Sequence, residues 1–175
     1  MKKLIRKVFG LREDLSISFY IIDFIFRKIL RQNGDVRYAL HHTSTIRCAD
    51  KMKTGTGTWP GDSPNVYINA FNGITIGDYT NIGPNVSIIS ANHDLIDNER
   101  QVTAHAISIG AYCWLGSGAI ILPEVCLGDF TIVGAGAVVT KSFTAGYCVL
   151  AGNPAKIIKQ LNKETCISFV RQKRK

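Results

Sequence analysis

The strongest constraint on this chain is a six-residue period. Between Ile74 and Ser142, apolar residues fall at Ile76, Ile82 and Ile88, then at Ile109, Leu115, Ile121, Leu127, Val133 and Val139. Glycine directly follows six of these nine positions. Two places before each stands a second small or apolar residue: Ile74, Thr80, Val86, Ile107, Cys113, Ala119, Val125, Thr131 and Ala137. A period of six cannot keep one face of a helix that turns every 3.6 residues. It does fit a stacked solenoid, in which each hexad supplies a short strand and a corner. The in-phase residues then point inward, and glycine after them allows corners too tight for a side chain. The expected fold is mainly β, a parallel β-helix of hexapeptide repeats.

The period breaks once. Ile88 and Ile109 lie 21 residues apart, which is not a multiple of six. An inserted segment, residues 91–106, accounts for the slip, and His93 stands at its mouth. Long loops in compact domains are usually functional.

Three regions follow: an N-terminal helical, basic segment (1–37), the β-helix (38–153) and a C-terminal helix with a basic tail (154–175). In the first, Leu4, Ile5 and Val8 form a short apolar strip. Ile17 to Leu30 predicts a helix ending near Asn33-Gly34. Two readings of that helix stand side by side. It caps the open end of the stack, or it lies at a membrane interface with Arg27, Lys28 and Arg31 near anionic lipid. His41 to Ile46 opens the first coil, and Thr54 to Pro64 reads as a loop. Trp59 in that loop either stacks on a sugar or packs against the loop base. Cys148 to Ala151 forms a last strand. Asn153 as N-cap and Pro154 at the first helical position then predict a short helix, with Ile157, Ile158 and Leu161 on one face.

The charge is uneven within a net +8. Residues 1–37 carry a balance of +5 and residues 156–175 one of +6, against −3 for the body between them. Basic ends suit contact with anionic groups. The longest apolar run is about half of the roughly 20 residues a membrane span needs. The N-terminus lacks the apolar core and cleavage site of a signal peptide. Five cysteines without a CxxC indicate neither a disulfide framework nor a zinc site. Reduced cysteines and a cytoplasmic location are expected. No metal or nucleic-acid site emerges.

The repeat resembles that of the hexapeptide-repeat acyltransferases. So do the insertion opening with Ser90-Ala-Asn-His-Asp-Leu95, Cys113-Trp-Leu-Gly116, Ile132 to Lys141, and Gly152-Asn-Pro-Ala-Lys156. The likeness is greatest to sugar O-acetyltransferases of bacterial surface-polysaccharide loci. It implies a left-handed parallel β-helix, a homotrimer with active sites between subunits, and acetyl-CoA as donor. It implies His93 as catalytic base and Asn72, or else Asn69, as holder of the acceptor. Trp114, Ser117, Ala135 and Thr140 would flank the donor's arm. Lys141, Lys156 and Lys159 would meet its phosphates. Glu124 stands where the family has glycine and is expected to reshape one corner.

The chemistry agrees with these assignments. A hydroxyl is a poor nucleophile near neutral pH, so a base must take its proton as it attacks a thioester carbonyl. Histidine, as a residue type, titrates in that range. One of Asp94, Asp97 and Glu99 is a candidate to orient the imidazole. The expected activity is acetyl transfer to a sugar hydroxyl of a capsule, O-antigen or exopolysaccharide precursor. The N-terminus raises the further expectation of a lipid-linked acceptor at the inner membrane face. Two alternatives remain: a small soluble acceptor such as an antibiotic or free sugar, and a non-catalytic β-helix scaffold.

Overall fold

A computed structural model describes residues 11–173; the strip at Leu4, Ile5 and Val8 lies outside them. Short parallel strands stack into three sheets that form the sides of a prism. The first side holds β1 (Thr45–Arg47), β3 (Tyr67–Asn69), β6 (Ser87–Ile89), β9 (Ile120–Ile121) and β12 (Val138–Val139). The second holds β2 (Met52–Thr54), β4 (Ile74–Ile76), β7 (Ile107–Ile109) and β10 (Cys126–Leu127). The third holds β5 (Asn81–Ile82), β8 (Trp114–Leu115), β11 (Thr131–Val133), β13 (Cys148–Ala151) and β14 (Lys156–Gln160). This is a parallel β-helix, in agreement with the left-handed form that the resemblance implies.

The hexad phase is the packing phase. All eighteen inward positions named above are buried, most of them completely. Burying one Ile or Leu of this kind stabilises by about 1.5–3 kcal/mol. Above the break, partners lie 18 residues apart, as Leu115 and Val133 do, and 17 apart in the last coil, as Val133 and Leu150 do. Across it, Ile74 pairs with Ile107, Ile82 with Leu115 and Ile88 with Ile121, each 33 residues on. The insertion therefore adds fifteen residues and leaves every register intact.

One corner carries an aromatic ladder. Tyr79, Tyr112, Phe130 and Tyr147 all take left-handed backbone angles, φ 50 to 55°. Their rings stack at centroid spacings of 5.2, 5.0 and 5.5 Å. The conformation costs about 1–2 kcal/mol at each such residue. Stacking at about 0.5–1.5 kcal/mol per pair offsets much of that. Glu124 takes the same conformation at φ 66°, so the expected departure from glycine does sit at a strained corner.

Both chain ends differ in detail from expectation. Ile17 to Ile29 is helical, α1 (Ile17–Asp23) running on as a π-helix over Phe24–Ile29. The cap on the first coil, however, is made by the residues after it. The Asn33 side chain donates to the Ser44 carbonyl and accepts from the Ile46 amide, so it occupies the open edge of β1. Val36 and Leu40 close the apolar interior behind it. At the other end, residues 156–160 form a strand, not the expected helix. β14 turns back antiparallel onto β13, which has no further coil above it, and the β-branched Ile157 and Ile158 suit that edge. The terminal helix is α2 (Lys163–Lys173), whose Thr165 amide donates to the Asn162 side chain. Phe169 meets Tyr112 edge-on, so α2 lies along the aromatic ladder.

His41 and His42 stack at 4.4 Å, against Phe19 and Phe26 of the N-terminal helical segment respectively. His41 Nδ1 accepts the Thr43 amide, which requires an unprotonated nitrogen. Burial and the neighbouring His42 hold His41 below its usual value. The contact is therefore at full strength above about pH 6.5 and is lost as pH falls through the folded-state value. Local opening of this contact, read by hydrogen exchange corrected for the intrinsic rate, is expected to increase as pH falls below about 6.5, and His41→Gln to flatten that dependence.

Candidate active site

The insertion is a short hairpin rather than a structureless loop. It leaves between β6 and β7, at the corner joining the first and second sides. The Asp94 amide donates to the Arg100 carbonyl at 2.8 Å and the Val102 amide to the Asn92 carbonyl at 2.8 Å. His93 and Gln101 form an antiparallel bridge between them.

His93 is exposed, and its Nδ1 lies in hydrogen-bond contact with the Asn98 carbonyl oxygen. A carbonyl only accepts, so Nδ1 carries a proton, and in the neutral imidazole the lone pair is then on Nε2. None of the three acids orients the ring. Asp94 accepts the Ile96 and Asp97 amides and pairs with Arg100, which together hold its carboxyl below the usual range. Asp97 accepts the Glu99 amide. The orienting group is the backbone carbonyl of Asn98, which no side-chain pattern could have signalled.

Asn72 sits beneath the hairpin. Its side-chain amide donates to the carbonyls of Ser90 at 2.8 Å and Val102 at 3.0 Å, and its backbone amide to Ser90 Oγ at 2.9 Å. Both side-chain protons are thus spent on the two roots of the hairpin, and Oδ1 alone remains for an outside partner. Asn69 is buried and accepts the Phe71 amide. Trp59 packs edge-on against Tyr38 with Arg12 over its ring, which is the packing reading of that residue.

The third side carries a second group. Registers align Asn81, Trp114, Ile132, Val149 and Lys159 in one outward row. Trp114 is half-exposed. Beside it, Gly116 and Gly134 let successive coils approach closely. A Cβ on Gly116 would meet the Ala135 amide at 2.8 Å, and one on Gly134 the Leu150 carbonyl at 3.1 Å. Ser117 and Ala135 stand at the adjoining corner, both exposed. In β14 the pairing skips Ile158, a bulge that sets Lys156 opposite Ala151 and Lys159 opposite Val149. Both lysines therefore lie on the outward face, at the end of the row that contains Trp114. Thr140 and Lys141 do not join this group. They follow β12, at the corner from which the hairpin leaves lower down.

The residues expected at one site thus form two groups on one chain. His93, Asn72, Thr140 and Lys141 share one corner. Trp114, Ser117, Ala135, Lys156 and Lys159 share the third side and its corner with the first.

The upper coils have known counterparts. Residues 106–141 match the family model described as bacterial transferase hexapeptide (six repeats). Nodulation protein L of Rhizobium leguminosarum bv. viciae is 42% identical over 72 residues, 39% of this chain and 38% of that protein. A putative colanic acid biosynthesis acetyltransferase, WcaF, of Escherichia coli (strain K12) is 36% identical over 79 residues, 45% of this chain and 42% of that protein. The matched segments thus span less than half of these relatives. Among solved structures, a maltose O-acetyltransferase from Clostridium difficile 630 superposes with a TM-score of 0.60 at 30% identity, covering 68% of this chain and 65% of that one. A galactoside acetyltransferase in complex with coenzyme A shares the fold over 93% of this chain and 92% of that one, with a TM-score of 0.67 and 20% identity.

Proposed function

We propose that the protein transfers an acetyl group from acetyl-CoA to a hydroxyl of a sugar, in a surface polysaccharide or its precursor. The observation that carries this reading is the contact of His93 Nδ1 with the Asn98 carbonyl, which in the neutral imidazole leaves Nε2 free on a braced hairpin. Nε2 takes the hydroxyl proton as the oxygen attacks the thioester carbonyl. The proton then passes to the departing thiolate, leaving an ester and free thiol. Trp114 and the exposed corner at Ser117 and Ala135 flank a pantetheine arm, and Lys156 and Lys159 suit its phosphates as point charges. The polysaccharide acceptor rests on likeness to the colanic acid relative. An acyl-CoA donor suits a cytoplasmic enzyme.

The two groups lie on different parts of the prism, so one site that uses both needs two chains. We infer a homotrimer in which the hairpin of one subunit meets the third side of its neighbour. Acetyl-CoA turnover across an acceptor panel tests the activity, free sugars separating a soluble acceptor from a polymeric one. Subunit mixing tests the assembly. Co-assembled His93→Ala and Trp114→Ala chains, each inactive alone, are expected to regain about a quarter of the wild-type sites if pairing is random. No recovery in verified mixed trimers would mean that each site lies within one chain.

A further inference from the structure

The N-terminal helix is inside out relative to a helix packed on its own protein. Its sole acid, Asp23, is 4% exposed and held by Arg27 and by the Leu40 amide. Phe19 and Phe26 pack inward on His41 and His42, but six other large apolar side chains face away: Ile21 is 57% exposed, Phe24 58%, Ile29 62% and Leu30 62%, with Ile22 and Ile25 beside them. All five of Ile21, Ile22, Phe24, Ile25 and Ile29 are exposed, so they share the solvent-facing side of the helical segment. A helix in water does the reverse.

Charge selects the occupant of this face. From residue 16 to residue 34 the only carboxylate is Asp23, which is buried and neutralised. Arg27 is consumed in that pair and also donates to the Val36 carbonyl, so it does not serve the face as the sequence suggested. Lys28 and Arg31 remain exposed, and four more cations lie among the first seven residues: Lys2, Lys3, Arg6 and Lys7. A second copy of the same face would bring like charges together. An anionic surface with an apolar interior satisfies both features.

We propose that this face docks the protein on an anionic lipid bilayer, α1 and the π-helical turns lying flat among the headgroups. No helix among the described residues is long and apolar enough to cross a membrane, so the contact is peripheral. The proposal stands apart from the acetyl-transfer reading. The test is flotation of the full chain with phosphatidylcholine vesicles, with and without phosphatidylglycerol. Partition is expected only with the anionic lipid and falls as salt is raised. Ile25→Ser with Ile29→Ser, and separately Lys28→Glu with Arg31→Glu, are expected to lower the partition coefficient about tenfold or more. The melting temperature is expected to stay unchanged, because these side chains are exposed. Absence of flotation, or flotation indifferent to both double variants, overturns the proposal. So does a drop in molecular mass by light scattering for Ile25→Ser with Ile29→Ser, which would make the face a contact between copies.

Discussion

Replacing His93 with alanine is expected to lower kcat for acetyl transfer by about 10²–10⁴-fold, with a smaller change in KM for acetyl-CoA. The side chain is exposed and its one structural bond is to a neighbouring carbonyl, so the fold has little to lose. His93→Asn refines the test. Asparagine's Nδ2 takes the place of Nδ1 and can donate to the Asn98 carbonyl but cannot take up a proton near neutral pH, so it is expected to be as inactive as alanine. A variant with alanine at 93 and full turnover would remove the general base from the mechanism. The same experiment bears on the scaffold alternative, since a non-catalytic protein would give no turnover to lose.

The second large effect is on stability. Leu115 is fully buried, and its strand lies between β5 and β11. Leu115→Ala is expected to cost about 3–5 kcal/mol in denaturant titration, the sum of lost transfer energy and a cavity that flat coils cannot close. In a chain of this size that corresponds to a fall in melting temperature of roughly 6–20 °C. The outward neighbour provides the contrast. Trp114→Ala removes a larger side chain from a half-exposed position, and its stability cost is expected to be the smaller of the two.

That contrast explains what could be read in advance. An inward position in a β-helix recurs because each coil repeats the one below, so Ile76 to Val139 announces itself by phase alone. The hairpin is legible for the same reason, as the place where phase fails. The chain ends do not repeat, and there the reading weakened. Asn153-Pro154 resembles a helix start, and only the open edge of β13, a tertiary fact, turns Lys156–Gln160 into a strand. The burial of Asp23 depends on Arg27 and on an amide 17 residues away. The aromatic ladder did leave a trace. Tyr79-Thr80, Tyr112-Cys113, Phe130-Thr131 and Tyr147-Cys148 are repeated aromatic–small pairs, hidden by the 33-residue step across the break. At the site, His93 and Trp114 stood out by motif. The Asn98 carbonyl and the double bond from Asn72 are backbone geometry, and residue types do not encode them.

The unbroken register across the hairpin has a consequence for how such proteins diversify. Because Ile74 still meets Ile107, the fifteen extra residues are a cassette plugged into a frame that ignores their length. Doubling such a loop costs only about 0.6 kcal/mol in closure entropy. A lineage can therefore retailor the hairpin that bears His93, lengthening or trimming it, while the prism beneath is inherited unchanged.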